Sequence, residues 1–206
     1  MSEVNGQTNE TELFFRTWLR SPKSMGAVIP SSRALARAVS GEIVWQPGQV
    51  IVELGAGTGA ISQGLMDSGL PPEALMMIEL DRPLFEYLRE RFPKVRVING
   101  DATRLVDILR QQGVEEVGTV ISGIPMVTMP LDFQRAIIEQ SFAALGPGGC
   151  LLQYSYSPVV PIPAKKLGVE ARLVKFVVRN LPPATVWRFR PRAARGAGHA
   201  RANGRG

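Results

Sequence analysis

Apolar and polar positions follow two alternating patterns through the middle of the chain. Short apolar runs are typical of buried parallel strands, and apolar positions every three or four residues are typical of amphipathic helices. The apolar runs lie at 50–55, 75–80, 95–100, 118–123 and 150–157, and the helical segments at 33–43, 59–68, 82–92, 103–113 and 131–145. Strands that alternate with helices predict βαβ units and a parallel sheet covered on both faces.

The pattern changes at the glycine-rich segment 146–149, which predicts a turn, and again after residue 157. Two extended runs at 169–180 and 184–191 flank a Leu-Pro-Pro sequence and predict an antiparallel hairpin that closes the sheet. From Arg190 onward the chain consists mostly of Arg, Gly and Ala with almost no large apolar residue, which predicts disorder.

Residues 11–20 (TELFFRTWLR) predict a short helix with an aromatic face and a cationic face. The aromatic face carries Phe14, Phe15, Trp18 and Leu19. It suits either an interfacial membrane helix or a lid that packs on the body of the protein. The chain therefore divides into a flexible N-terminus (1–10), N-terminal helices with a membrane-binding or lid role (11–48), a main domain (49–192) and a disordered basic tail (193–206).

Charge is distributed unevenly along the 206 residues. Residues 1–170 contain 15 basic and 18 acidic residues, whereas the last 36 contain nine basic residues and no acidic one. Such a segment attracts polyanions, either nucleic acid or an anionic membrane surface, unless it serves only as a solubilising tail.

Several classes of protein are excluded by what the sequence contains. The single cysteine, Cys150, excludes a disulfide framework, and together with the single His199 it excludes a Cys/His zinc site. No run is long and apolar enough for a membrane span, and the N-terminus has no signal-peptide pattern. We therefore expect a metal-independent protein of the cytoplasm.

A glycine-rich loop follows the first predicted strand and reads Glu-Leu-Gly-Ala-Gly-Thr-Gly over 53–59. Glycines let the backbone approach a ligand closely, and a small anion or carboxylate can then sit near the helix N-terminus. Gly55, Gly57 and Ala60 also satisfy the dinucleotide pattern G-x-G-x-x-G/A, so the loop alone does not distinguish a nicotinamide site from others.

Three acidic residues distinguish these possibilities. Glu53 precedes the glycines, Glu79 ends the second strand where a carboxylate can accept both hydroxyls of a ribose, and Asp101 follows the third strand. Asp101 is placed either to accept an adenine amine or only to cap a helix. Together these features resemble the class I S-adenosylmethionine (SAM) methyltransferases.

That resemblance implies a Rossmann-like α/β fold with a seven-stranded, mostly parallel sheet and a C-terminal antiparallel hairpin. It implies SAM as the cofactor, S-adenosylhomocysteine as the product and no metal. The SAM contacts that it implies are Glu53, Gly55, Ala56, Gly57, Gly59, Glu79, Leu80, Asp101, Ala102 and Ser122.

The fourth predicted strand leads into Ser-Gly-Ile-Pro-Met at 122–126. Relatives that methylate the amine of a nucleobase carry Asn/Asp-Pro-Pro-Tyr or Asn-Leu-Pro-Tyr there, with an aromatic ring that stacks on the base. That ring is missing here, which argues against nucleic-acid methylation. The carbonyls of Ser122 and Gly123 can still orient an amine, and Tyr154 or Tyr156 can accept a hydrogen bond from it, unless both are ordinary strand aromatics.

Three runs, at 14–32, 122–126 and 177–190, resemble the bacterial phospholipid N-methyltransferases. These enzymes convert phosphatidylethanolamine through its mono- and dimethyl forms to phosphatidylcholine. The resemblance implies a phospholipid substrate, no specific nucleic-acid partner, and peripheral association of the 11–20 helix with the anionic inner face of the cell membrane. Two alternatives remain: an RNA N-methyltransferase like the adenine dimethyltransferases, and a non-catalytic binding module that keeps a vestigial SAM fold.

Overall fold

The computed structural model describes residues 33–180 and 182–192. Its helices are α1 (Arg33–Ser40), α2 (Ala60–Asp67), α3 (Arg82–Arg91), α4 (Leu105–Gln111) and α5 (Leu131–Ala144). Its strands are β1 (Val50–Leu54), β2 (Leu75–Glu79), β3 (Arg96–Asn99), β4 (Val117–Ser122), β5 (Leu145–Ser155), β6 (Val169–Val177) and β7 (Ala184–Pro191). Short 3-10 helices lie at Pro72–Ala74, Ala102–Arg104 and Met126–Thr128.

The strands form one seven-stranded sheet in the order β3-β2-β1-β4-β5-β7-β6. Strands β1 to β5 pair in parallel, whereas β7 is antiparallel to both β5 and β6. The prediction of a Rossmann-like α/β fold with a C-terminal antiparallel hairpin is confirmed. The strand order reverses between β1 and β4, and in sheets of this kind the carboxyl ends at the reversal open a crevice that binds ligands.

Each face of the sheet buries its own apolar cluster, because successive strand residues point to opposite faces. Val52 and Leu54 of β1 belong to the cluster that includes residues of α4 and α5, and Ile51 belongs to the cluster that includes residues of α1, α2 and α3. Helix α1 approaches α2 closely at Gly64, where a Cβ would overlap the Cβ of Ala36. The end of the predicted 11–48 segment is thus packed into the core.

Strand β5 differs from the prediction at both ends. It begins at Leu145, five residues before the predicted start, so the glycine-rich 146–149 segment lies inside the strand and not in a turn. The pairing shifts between Val117↔Leu145 and Thr119↔Cys150, and Gly148 adopts a φ of 77° within this irregularity. A bulge therefore accommodates residues whose composition indicates a turn. At the other end β5 stops at Ser155, so Tyr156 lies just beyond it.

Cys150 lies at the centre of the sheet and is buried. Its Sγ is 3.5 Å from the Thr119 Oγ1 on β4 and 3.8 Å from the carbonyl oxygen of Glu42, which lies beyond α1. The thiol is therefore enclosed by three separate parts of the chain.

Two predicted segments lie outside the described residues: the helix at 11–20, with its four aromatic-face side chains, and the basic tail at 193–206. Within residues 33–180 and 182–192, none of the helices combines the length and the apolar character that a membrane span requires. The same residues contain no group of three or more His, Cys, Asp or Glu side chains arranged to hold a metal ion.

Candidate functional site

The glycine loop leaves β1 at the crevice and opens α2. The φ angles of Gly55, Gly57 and Gly59 are 68°, 57° and 74°. Residues other than glycine rarely adopt this backbone conformation. A Cβ on Gly59 would overlap the ring of Phe92, whereas a Cβ on Gly57 would meet no atom within 4 Å. Gly59 thus lets the helix pack, and Gly57 presents bare backbone to open space beside the N-terminus of α2.

Glu79 connects the end of β2 to this loop. Its Oε2 accepts a hydrogen bond from the Gly57 amide at 2.9 Å, and its Oε1 accepts one from the Asp81 amide at 3.0 Å. Burial raises the pKa of Glu79, and these backbone hydrogen bonds oppose that rise. Each carboxylate oxygen has a second lone pair, so the side chain can still accept two further donors.

Glu53 is fully buried on β1, on the sheet face that carries α2. The Ser62 hydroxyl of α2 donates to its Oε2, while Oε1 has no hydrogen-bond partner among the described residues. Burial is the main reason that the pKa of Glu53 rises to about 8, and the nearby Glu79 carboxylate raises it further. The site therefore contains a buried acid that is protonated at neutral pH and has one oxygen without a partner among the described residues.

The β3 end of the crevice is built around Asp101 and Asn99. Asp101 Oδ1 accepts from the Thr103 amide at 2.9 Å, so the predicted helix cap is present. Asn99 Nδ2 donates to the carbonyls of Glu79 and Leu80, at 2.9 and 3.1 Å, and so fixes the backbone that follows β2. Sequence analysis did not select Asn99, because nothing local distinguishes it from any other strand-end amide.

The acceptor side of the crevice is formed by the ends of β4 and β5. A Cβ built on Gly123 would overlap the Tyr154 hydroxyl and would lie 2.8 Å from the carbonyl oxygen of Gly55. Gly123, Tyr154 and the glycine loop therefore converge on one point. On the face of the sheet that carries Val120, the Ser122 Oγ is buried and has no hydrogen-bond partner among the described residues.

Gln153 is a further residue of this region that the sequence did not reveal. It is buried, pairs with Ser122 across β4 and β5, and donates through Nε2 to the carbonyl oxygens of Ile124 and Tyr154, at 2.9 and 3.0 Å. Its side chain holds the 122–126 loop against β5. Tyr156, in contrast, is 42% exposed beyond the strand end.

We expect Gly123→Ala to reduce turnover about a hundredfold, because the new methyl group would displace Tyr154 or the glycine loop from the point where they meet. Affinity for the cofactor should fall less than turnover, because the overlap with the Tyr154 hydroxyl is more severe than the overlap with the Gly55 carbonyl. The matched control is Gly146→Ala at the opposite end of β5, where a Cβ would meet its nearest atom at 3.6 Å. Steady-state kinetics beside a thermal melt would test this, and near-normal turnover in a folded Gly123→Ala protein would contradict it.

A separate cleft of about 540 Å³ lies at the opposite edge of the sheet. It is lined by residues at the amino ends of strands, including Val50 and Arg96, together with Trp45 and Glu115. Parallel sheets bind their ligands at the carboxyl edge, and the glycine loop and both buried glutamates are also there. The chemistry of the site is therefore placed at the crevice and not in this cleft.

Comparison with known proteins identifies the family. The chain is 33% identical over 175 residues to the ornithine lipid N-methyltransferase of Singulisphaera acidiphila. The matched region covers 84% of this chain and 91% of that protein. The chain belongs to this N-methyltransferase family. No protein-family model matches it.

Two further likenesses agree with a methyltransferase. The chain is 31% identical over 121 residues to ribosomal RNA small subunit methyltransferase A of Thermotoga petrophila, but it spans only 44% of that protein's length. A TehB-like SAM-dependent methyltransferase from Corynebacterium glutamicum shares the fold with a TM-score of 0.55 and 19% identity, over 89% of this chain and 100% of that one. The protein is a methyltransferase, and its cofactor is SAM.

The residues of the crevice fit this cofactor. Open space beside Gly57 admits a ligand against the backbone, and the buried Glu79 keeps acceptor capacity for hydroxyl groups. The Glu53 Oε1 has no partner among the described residues, so it is a polar atom left for a ligand to satisfy, and a cationic amine bound beside it would favour the ionised carboxylate. When bound, SAM supplies an electrophilic methyl group on a sulfonium sulfur.

Proposed function

We propose that this methyltransferase methylates the amine of a membrane-lipid headgroup. The observation that carries the proposal is the relationship to a protein named ornithine lipid N-methyltransferase, over 91% of that protein's length. The motifs at 14–32, 122–126 and 177–190 add phosphatidylethanolamine and its mono- and dimethyl forms as candidate acceptors. The enzyme would then work as a peripheral protein at the inner face of the cell membrane.

In this proposal the two sides of the crevice have separate tasks. Glu79 accepts the ribose hydroxyls of SAM, Asp101 accepts the adenine amine, and the glycine loop with Glu53 holds the methionine end. The side chain of Leu80 and the backbone at Ala56 and Ala102 complete the cofactor contacts. Asp101 keeps its second oxygen entirely for the adenine amine, because its bond from Thr103 goes to Oδ1.

The acceptor amine would bind where Gly123 and Tyr154 converge. The carbonyls of Ser122 and Gly123 accept hydrogen bonds from the amine and so orient the nitrogen. Methyl transfer needs a neutral amine aligned with the methyl carbon, so positioning supplies most of the rate. The ammonium group of the lipid would release a proton to water before it reacts, and the Tyr154 hydroxyl would accept a hydrogen bond from the neutral amine. The exposed Tyr156 is less suited to this role.

RNA methylation is the alternative, favoured by the likeness to ribosomal RNA methyltransferase A. It is the weaker proposal because the position where nucleobase enzymes place a stacking aromatic holds Met126, which is buried. That side chain gives a planar base no exposed ring to stack on.

The deciding experiment incubates the full chain with labelled SAM and three separate acceptors. These are vesicles containing phosphatidylethanolamine, vesicles containing ornithine lipid, and bulk RNA. Label in either lipid supports the proposal and identifies the headgroup. Label in RNA alone would overturn it, and Glu79→Ala run in parallel identifies label that does not depend on the crevice.

The helix predicted at 11–20 provides a further test. We expect Phe15→Ser with Trp18→Ser to lower vesicle binding at least tenfold, because each large side chain contributes roughly 1.5–3 kcal/mol when buried in an interface. Vesicle co-sedimentation beside a SAM titration measures the effect. The control, Thr11→Ser with Thr17→Ser, introduces serines but keeps the aromatic face. Equal vesicle binding by both double variants would remove the helix from the membrane contact.

A further inference from the structure

Exposed apolar side chains collect at one edge of the sheet. Among the described residues, the large apolar side chains that are most exposed are Tyr87, Val127, Leu131, Tyr156, Val159, Leu173, Phe176 and Val178. Strand β6 is antiparallel to β7, which is antiparallel to β5, so β5 and β6 run in the same direction. The segments that leave β4, β5 and β6 therefore all start from the carboxyl edge, where the acceptor site lies.

Five of these side chains belong to those three segments, and we call them the carboxyl-edge rim. They are Val127, Tyr156, Val159, Phe176 and Val178. Val159 and Val178 are 63% and 69% exposed. A single exposed apolar residue is ordinary, but several on one edge are typical of an interaction surface. The rim belongs to the same edge as Gly123 and Tyr154.

The tip of the β6–β7 hairpin is held in place by its own hydrogen bonds. Asn180 is buried, its amide donates to the Val177 carbonyl at 3.3 Å, and its Nδ2 donates to the Pro182 carbonyl at 2.6 Å. The turn is thus tied to the end of β6, with Phe176 and Val178 left outward. The exposure of these two side chains is therefore built into the hairpin.

Positive charge accompanies the rim on the hairpin. Arg172, Lys175 and Arg179 are exposed on or just beyond β6, and no acidic residue occurs from 171 to the end of the chain. Lys175, next to Phe176, pairs with Glu42 at 3.5 Å, and Arg179, next to Val178, is exposed at the same end of the hairpin. Apolar side chains with a cation beside them match the interface of an anionic bilayer, where acyl chains lie beneath the lipid phosphates.

We propose that the carboxyl-edge rim is the surface through which the enzyme docks on an anionic lipid bilayer, with the acceptor site facing the membrane. The inference rests on the proposed lipid-methylating function and adds the orientation. A protein partner seated on the same edge would cover the acceptor site, whereas a bilayer there delivers the headgroup to it. An amine that projects from the bilayer then reaches Gly123 and Tyr154 without leaving the lipid surface.

The test compares two serine variants of the full chain. Phe176→Ser with Val178→Ser removes two rim side chains, and Leu173→Ser, 44% exposed and three residues earlier on the same strand, is the control. Vesicles of equal parts phosphatidylglycerol and phosphatidylcholine are used for co-sedimentation. We expect the rim variant to bind about tenfold less tightly and the control to bind like wild type, with the SAM affinity of both unchanged.

A second readout separates docking from catalysis. Methylation of vesicle-embedded aminolipid should fall in the rim variant, whereas methylation of a short-chain, water-soluble aminolipid should remain at the wild-type rate. Val127→Ser, in a different segment of the rim, should show the same split and provides a check should the hairpin variant fold poorly. Wild-type vesicle binding by both rim variants, or an equal loss in Leu173→Ser, would overturn the proposal.

The same experiment tests the docking surface separately from the proposed methylation of lipids. If wild type binds vesicles through the rim but methylates no lipid, the docking surface stands and the proposed function fails. If wild type methylates vesicle lipid while the rim variants bind and react normally, the function stands and the docking surface fails. Loss of bulk RNA binding in the rim variants without loss of vesicle binding would also overturn the docking proposal.

Discussion

Glu79→Ala is expected to lower the affinity for SAM at least a hundredfold. A carboxylate that accepts two hydroxyl groups contributes on the order of 1.5–3 kcal/mol for each charged hydrogen bond. The same side chain also accepts the amides of Gly57 and Asp81, so the substitution leaves both donors unpaired and loosens the glycine loop before any ligand arrives. The loss therefore combines missing contacts with a poorly ordered site.

Isothermal titration of SAM into the variant measures this effect. Glu86→Ala is the matched control, because Glu86 is also a glutamate near the second strand but pairs with Arg82 and Arg89 on the surface of α3, at 2.7 and 2.8 Å. The Glu79→Gln variant keeps the size of the side chain, but its NH₂ group would face one of the two backbone N–H donors. We therefore expect this variant to bind SAM weakly as well. If a folded Glu79→Ala protein bound SAM with wild-type affinity, Glu79 would not be a cofactor-binding residue.

The stability of the SAM-free protein is expected to fall as the pH rises from about 5 to about 8, and Glu53→Gln should remove much of that fall. Burial raises the pKa of Glu53 from 4.5 to about 8. Between these two values the folded state holds a proton that the unfolded chain has released, so each pH unit costs about 1.4 kcal/mol. The stability that the bound proton contributes is complete below the pKa of Glu53 in the unfolded chain, and it is lost above the pKa of Glu53 in the folded protein.

Urea unfolding gives the free energy of unfolding at about pH 5.5 and at about pH 7.5. The difference between these two values should be smaller in Glu53→Gln than in wild type by about 2–3 kcal/mol. Glutamine can still accept a hydrogen bond from Ser62, so the fold should be kept. Part of the pH dependence should remain, because burial also raises the pKa of Glu79. The exposed Glu90→Gln serves as control, and an unchanged pH dependence in Glu53→Gln would show that Glu53 does not hold the proton.

Local pattern predicted most of the fold, because short apolar strands and amphipathic helices are properties of consecutive residues. Strand β7 lies at 184–191 as predicted, and the fold class follows from the alternation. The early start of β5 could not be predicted in this way. The 146–149 segment has the composition of a turn, and only the pairing of the flanking Leu145 and Cys150 with β4 keeps it in the sheet.

The candidate site was predictable where chemistry is concentrated in a motif and not where it depends on pairing between distant segments. The spacing of Glu53, the glycines and Glu79 marked the cofactor side. The hydrogen bond from Gly57 to Glu79 joins residues 22 positions apart, and the meeting of Gly123 with Tyr154 depends on the register of β4 and β5. Asn99 and Gln153 act through tertiary hydrogen bonds that leave no local signal in the sequence.

Because Cys150 is buried, the reactivity of its thiol reports on local opening of the sheet. A thiol reagent can reach this sulfur only when β5 separates from Thr119 of β4 and from the segment after α1, so the rate of modification measures how often the centre of the sheet opens. A ligand that binds the folded state makes such opening rarer. Slower labelling of the single cysteine on addition of SAM, or of an aminolipid, would therefore report binding at the crevice without turnover, a radioactive label or any engineered probe.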